Sequence, residues 1–160
     1  MAAVALALAA VAAGCGGGKQ PSSSAPGTTD GTATGTIASG EAPACQLLLA
    51  RLKRATIALQ TSSELIAHSM NKRQLSRRIG IEQVQLERSA RLIAAGPIPT
   101  SLVAADRQLV SGLRAFARDF ARAKAPAARG DFRAATSAMT DSVAVRRILA
   151  AARTIERACA

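Results

Sequence analysis

The spacing of apolar residues after Ala44 constrains the fold of this chain more than any other feature. Apolar residues recur every three or four positions through four successive stretches, as on one face of an α-helix, and no stretch shows strand-like alternation. Hydrophobic residues make up 49% of the chain but aromatic residues only 2%, so much of the apolar content is alanine, the strongest helix former. The pattern predicts an all-α domain over residues 44–160.

Chain breaks divide this domain into four helices. The second is predicted from about Lys72 to Ala95, Thr100 or Ser101 is predicted to cap the third, and Asp131 to cap the fourth. Short loops between long helices favour an up-down-up-down antiparallel four-helix bundle. The predicted inward faces are, in order, Cys45, Leu48, Leu52, Ala55, Leu59, Ile66 and Met70; Leu75, Ile79, Leu86 and Ile93; Leu102, Ala105, Leu109, Leu113, Phe116 and Phe120; and Phe132, Ala135, Met139, Val145, Leu149, Ala152, Ile155 and Cys159.

The N-terminal run from Met1 to Ala13 is entirely apolar. It is shorter than the roughly 20 residues of a bilayer-spanning helix and is typical of the apolar core of a secretory signal. It leads into Ala13-Gly14-Cys15, which resembles the lipobox of bacterial lipoproteins. In that family the small residues fit the signal peptidase, and the cysteine thiol is diacylated before the cysteine becomes the new N-terminus. The resemblance implies a signal peptide over residues 1–14, lipid on Cys15, and export to the outer face of the bacterial cytoplasmic membrane.

The segment 15–43 is predicted to be a linker. After Cys15 it consists almost entirely of Gly, Ser, Thr, Pro and Ala, and Ile37 is its only large apolar residue. Such a segment cannot bury enough apolar surface to offset its ordering entropy, which predicts a disordered tether. As a coil it would hold the domain about 30 Å from the lipid anchor. Glycosylation of its Ser and Thr residues is an alternative interpretation.

The other two cysteines stand at the two ends of the domain. Cys45 opens the first helix and Cys159 closes the last, and each is in register with the apolar stripe of its helix. In an antiparallel four-helix bundle these two ends are at the same end of the bundle, so the sequence predicts a Cys45–Cys159 disulfide. The alternative is a pair of buried free thiols, which an oxidising exterior disfavours.

Few residues suggest a metal site or an active site. His68 is the only histidine, and its spacing from Glu64 differs from the Glu-x-x-His repeat of di-iron bundles. His68, Met70 and Met139 make a weak copper-type ligand set, and the favoured interpretation of His68 is a polar residue near a helix end. An enzyme would require Glu64, Glu82 or Asp119 to converge as acid and base. The sequence predicts no enzymatic activity, no cofactor and no metal.

Positive charge is the remaining signal. From Ala44 onward there are 20 Lys and Arg residues against 8 Asp and Glu residues. Two groups are predicted to form an anion-binding surface: Lys72, Arg73, Arg77 and Arg78 near the turn between the first two helices, and Arg107, Arg114, Arg118 and Arg122 along the third. The alternative interpretation is a set of solvated, arginine-rich helix faces.

The choice of partner follows from the predicted location. Nucleic acid is disfavoured because the protein is predicted to be exported and has no Tyr or Trp on which bases could stack. Anionic lipid, an acidic envelope polymer or an envelope protein are the predicted partners. The sequence thus predicts a non-enzymatic binding or structural module of the cell envelope.

Overall fold

The computed structural model of the protein describes residues 41–140 and 142–160, and the regular elements within these ranges are all helical. The all-α prediction is therefore confirmed for this part of the chain. The predicted signal peptide, Cys15 and the linker up to residue 40 lie outside the described residues. The helices are α1 (Ala42–Ala67), α2 (Lys72–Ala94), a 3-10 helix (Thr100–Leu102), α3 (Val103–Arg129), α4 (Phe132–Met139) and α5 (Ser142–Cys159).

Helix α1 buries most of its predicted stripe. It begins two residues before Ala44 and accommodates Pro43 in its first turn, where a missing N–H group costs no helical hydrogen bond. The prediction for Met70 is wrong: α1 ends at Ala67, and Met70 lies in the connection to α2 with 87% of its surface exposed. The remaining members are buried or packed against the core: Cys45, Leu48, Leu52, Ala55, Leu59 and Ile66.

Helix α2 begins at Lys72 as predicted. The side chain of Asn71 caps it by accepting a hydrogen bond from the backbone N–H of Gln74 at 3.0 Å. The four predicted stripe residues, Leu75, Ile79, Leu86 and Ile93, are buried. Glu82, which interrupts that stripe in the sequence, is buried with them at 1% exposure.

Helix α3 begins differently from the prediction. Neither Thr100 nor Ser101 provides a side-chain cap, because the chain first forms the 3-10 helix. The backbone N–H of Thr100 donates instead to Oε1 of Glu41, 2.7 Å away and 59 residues earlier in the chain. All six predicted stripe residues of α3 are buried. The helix ends at Gly130, whose φ of 85° is the left-handed conformation common at helix C-termini.

The predicted fourth helix is two helices. Asp131 caps α4 as predicted by accepting from the backbone N–H of Ala134 at 2.9 Å, but α4 ends at Met139 and α5 starts at Ser142. Of the residues predicted to face inward on α5, Ile155 is fully buried, Val145 and Ala152 are half-buried against the core, and Leu149 is half-buried. Ala144 and Ala151, each one position before a predicted residue, are buried as well. Phe132, also predicted to face inward, is 51% exposed.

Each long helix packs against the next long helix along the chain, and the last also packs against the first. Helix α2 packs along α3, α3 packs against α4 and α5, and α1 packs against α2 and α5. The predicted disulfide joins Cys45 at the start of α1 to Cys159 at the end of α5, with their Cα atoms 5.4 Å apart. None of the described helices has the length and hydrophobicity of a bilayer-spanning segment.

Alanine occupies much of the core and allows the helices to approach closely. The large side chains in the core include Phe116 and Phe120, whose rings meet edge to face with centroids 5.0 Å apart. The buried alanines are Ala55, Ala90, Ala105, Ala117, Ala123, Ala127, Ala135, Ala144 and Ala151.

Candidate functional site

The packing of α2 against α3 separates their charges. Each of the two helices carries six cationic residues and two carboxylates. Glu82, Asp106 and Asp119 are buried, and the fourth carboxylate, Glu87, is half-buried and accepts a hydrogen bond from Nε2 of Gln83 at 3.1 Å. All the cations on the two helices are exposed except Arg78, which is half-buried. The outer surface of α2 and α3 is therefore strongly positive.

Two adjoining hollows lie where α2 meets the C-terminal part of α3, with volumes of about 390 and 450 Å³. Both are lined by Ser76, Arg77 and Lys124, and the hydroxyl of Ser76 donates to the backbone carbonyl of Lys124 at 3.5 Å. Lys72 and Arg73 line the second hollow. We call these five residues the cationic groove. Four cationic side chains on one concave surface can bind a phosphate or carboxylate group.

The groove contains part of the first predicted cluster and one residue that the sequence pattern missed. Lys72, Arg73 and Arg77 lie together as predicted, and Lys124 joins them from α3. Lys124 does not share the spacing of the predicted arginine cluster on α3, so its position beside the α2 cations follows only from the packing of the two helices. Arg78 points elsewhere: its guanidinium donates to the backbone carbonyl of Leu65 and, at 3.4 Å, to the hydroxyl of Ser69, at the end of α1.

The second predicted cluster is a ridge along α3. Arg107, Arg114 and Arg118 are exposed. Arg122 is also exposed, but its guanidinium forms an ion pair with the buried carboxylate of Asp119 one turn earlier. Arg122 is thus held toward its own helix, which leaves the other three as the freely projecting part of the ridge.

Two apolar residues interrupt the charge on the exposed face of α2. Ile81 is 48% exposed and Val84 is 56% exposed, and both line the first hollow beside Arg77 and Lys124. Arg88 follows one turn later on the same face and is exposed. The sequence carried a signal for this arrangement, because Ile81 and Val84 fall on the side of α2 opposite its buried stripe.

The metal-ligand candidates lie in different environments. His68 is exposed at the end of α1, where its Nδ1 atom donates to the backbone carbonyl of Glu64 at 2.7 Å. Met70 is exposed in the following connection, whereas Met139 packs from α4 against the hydrophobic core. Within residues 41–140 and 142–160, no three His, Cys, Asp or Glu side chains are grouped as metal ligands.

The carboxylates considered as acid and base are distributed over three helices. Glu64 on α1 is exposed, while Glu82 on α2 and Asp119 on α3 are buried. The two hollows between α2 and α3 contain no carboxylate in their lining.

A buried carboxylate lies at the other end of α3. Burial raises the pKa of Asp106 above its ordinary value, and the positive charge of Arg51 on α1 opposes this rise. The guanidinium of Arg51 lies directly against Gly96. Within the described part of the chain, Oδ1 of Asp106 and Nη1 of Arg51 are buried atoms without a hydrogen-bond partner. The charge of Arg51 on α1 thus acts on a buried carboxylate in the first turn of α3.

Comparison of the chain with known protein families, curated proteins and solved structures finds no significant match.

Proposed function

We propose that this protein is a bacterial lipoprotein whose helical domain binds anionic components of the cell envelope without catalysing a reaction. The observation that carries the proposal is the burial of Glu82, Asp106 and Asp119, which leaves the outer surface of α2 and α3 positive. Sequence composition alone would allow acids and bases to mix on that surface. Their separation favours a specific anionic partner over a solvated arginine-rich face.

The architecture that we propose is an up-down-up-down antiparallel four-helix bundle in which α4 and α5 together form the fourth helix. The neighbour relations support it, because each long helix packs against the next and α1 also packs against α5. The Cys45–Cys159 disulfide supports it further by joining the start of the first helix to the end of the last.

The lipid anchor would place the positive surface beside its partner. We propose that residues 1–14 are removed as a signal peptide and that Cys15 carries the lipid, with residues 15–40 as a tether to the outer face of the cytoplasmic membrane; the last three residues of the predicted linker, 41–43, belong to the folded domain instead, because α1 begins at Ala42 and Glu41 binds Thr100. A cationic residue near an anionic membrane contributes about 1 kcal/mol of attraction. An attraction of this size per residue becomes substantial when several act together on one face, and it decreases as salt increases.

The anchor is tested by growing cells with labelled fatty acid. The native chain and a Cys45→Ser variant should incorporate the label, and a Cys15→Ser variant should not. Incorporation that persists after Cys15→Ser, or that is absent from the native chain, would remove the lipoprotein assignment.

The anion-binding surface is tested by co-sedimentation of the mature chain, residues 15–160 with Cys15→Ser, with vesicles. The chain should bind phosphatidylglycerol-containing vesicles and not pure phosphatidylcholine. Changing Arg73, Arg77 and Lys124 to Gln should weaken binding roughly 10- to 100-fold. A matched control changes Arg133, Arg147 and Arg153, which are exposed on α4 and α5, to Gln. Equal binding to both vesicle types would overturn the proposal, and equal loss in both variants would remove the assignment to α2 and α3.

A further inference from the structure

The outward face of α2 combines cationic and apolar side chains in one line. We propose that this face lies on the bilayer itself, with its arginines bound to the phosphates of anionic phospholipids and Ile81 and Val84 inserted among the upper acyl chains. The inference rests on the proposed function and specifies its ligand. We define the membrane face as Arg73, Arg77, Ile81, Val84 and Arg88.

Helix geometry places these five residues on one face. Their spacings of four, four, three and four positions follow the helical repeat, and all five are exposed. Their side of the helix is opposite the buried stripe that includes Ile79 and Leu86. The arginines at both ends therefore flank an apolar centre, so guanidinium groups can reach the headgroups while the two apolar side chains between them reach the upper acyl chains.

The apolar pair distinguishes a bilayer from a soluble anionic polymer. Ile81 and Val84 each leave about half of their surface in water, and burial of that surface is favourable only in a partner with an apolar phase. A carboxylate-rich or phosphate-rich polymer would satisfy the arginines equally well, but it would leave the apolar pair in water. An anionic bilayer satisfies both, because arginine stems lie along the apolar region while their guanidinium groups reach the phosphates.

The charges around the membrane face match an anionic surface. Glu82, which follows Ile81 directly, is buried in the core. Lys124 lies against the same face from α3 and adds a further cation beside Ile81 and Val84. The five residues of the membrane face include no carboxylate, and the neighbouring Glu87 is half-buried and bound by Gln83, so positive charge prevails along the face.

Two paired substitutions in the mature Cys15→Ser chain, residues 15–160, separate the apolar contribution from the electrostatic one. The first pair, Ile81→Gln with Val84→Gln, should weaken binding to vesicles of equal phosphatidylglycerol and phosphatidylcholine about tenfold and leave binding to soluble polyglutamate unchanged. The second, Arg73→Gln with Arg77→Gln, should weaken both. The matched control is Phe132→Gln with Val143→Gln, which alters two half-exposed apolar residues on α4 and α5 and should affect neither.

The outcomes distinguish this inference from the proposed function. If the apolar pair leaves vesicle binding unchanged while the arginine pair weakens it, the bilayer contact is overturned and the anion-binding surface stands, with a soluble acidic polymer as its partner. If neither pair affects binding, both proposals are overturned. Loss of vesicle binding in the Phe132/Val143 control to the same extent as in the apolar pair would also overturn the bilayer contact.

A fluorescent probe measures insertion directly. The chain has no Trp and no Tyr, so a single introduced Trp reports only its own position. Val84→Trp emission should shift to shorter wavelength on anionic vesicles and be quenched by brominated acyl chains, whereas Val143→Trp should show neither change. Emission from Val84→Trp that stays at its aqueous wavelength when the chain is bound to vesicles would overturn the inference.

Discussion

Gly112 of α3 lies against Ile148 of α5 so closely that even a methyl group at Gly112 would not fit. A Cβ atom built there would be 2.8 Å from Cγ1 of Ile148 and 3.3 Å from its backbone nitrogen. The backbones of α3 and α5 are therefore close together at Gly112, with no room for a side chain between them. This is the point at which a small-residue core brings α3 and α5 together.

We expect Gly112→Ala to destabilise the domain by about 1–2 kcal/mol, because the cost of overpacking exceeds the gain in helix propensity. Gly80→Ala on α2 is the matched control. Its added methyl group would meet only the flexible side chain of Lys124 at 3.6 Å, so we expect stabilisation of about 0.5–1 kcal/mol. Urea unfolding measures both. A stabilising Gly112→Ala would show that α3 and α5 are not packed this closely.

Removal of the Cys45–Cys159 disulfide should reduce stability strongly. The bridge joins residues 114 positions apart, and closing so long a loop restricts the unfolded chain. Replacing both cysteines with Ser should cost about 2–5 kcal/mol in unfolding free energy, whereas Cys15→Ser should leave the unfolding midpoint unchanged. Titration of the denatured, unreduced Cys15→Ser chain should find no free thiol. Two titratable thiols would contradict the bridge.

The raised pKa of Asp106 predicts a pH dependence of stability. Burial makes the folded protein hold this proton more tightly than the unfolded chain, whose carboxyl titrates near 3.8. The stability penalty of the charged form is absent below that value and develops as the pH rises through the folded pKa. The native chain should therefore gain stability relative to Asp106→Asn as the pH is lowered from 7 toward 4. A relative loss of stability over this range would contradict the assignment.

The hydrogen bond from Thr100 to Glu41 should stabilise the start of α3. Glu41→Ala removes the side-chain acceptor of the backbone N–H of Thr100 at the start of the 3-10 helix and should cost about 0.5–1.5 kcal/mol. Glu64→Ala on the exposed surface of α1 removes the same charge and is the control, with an expected change below about 0.5 kcal/mol. Equal effects of the two substitutions would show that the Glu41 contact contributes nothing.

Local signals in the sequence were sufficient for much of the helical pattern. Asn71 and Asp131 cap α2 and α4 because a short polar side chain can accept from a backbone N–H three residues ahead in any fold. The predictions failed where a tertiary contact replaced a local one. At the start of the 3-10 helix, Glu41 accepts from the backbone N–H of Thr100, where only a local cap was predicted, and on α5 Ala144 and Ala151 are buried in place of the predicted Val145 and Ala152.

The candidate site was only partly accessible from sequence. Lys72, Arg73 and Arg77 are neighbours along one helix, so their clustering follows from helical spacing. Lys124 is about 50 residues away and joins them only because α2 packs along α3 in one particular register. Arg78, adjacent to Arg77 in sequence, contacts α1 instead because successive helical residues point about 100° apart.

The sequence by itself determined the all-α class, the apolar stripes of the first three helices apart from Met70, and the pairing of Cys45 with Cys159, because the helical period, the capping residues and the two ends of the domain follow from residue order alone. Only the tertiary structure decided that Glu82, Asp106 and Asp119 are buried while the cations around them remain exposed. The burial of a charged side chain depends on which helix covers it, and that depends on packing between residues far apart in the chain.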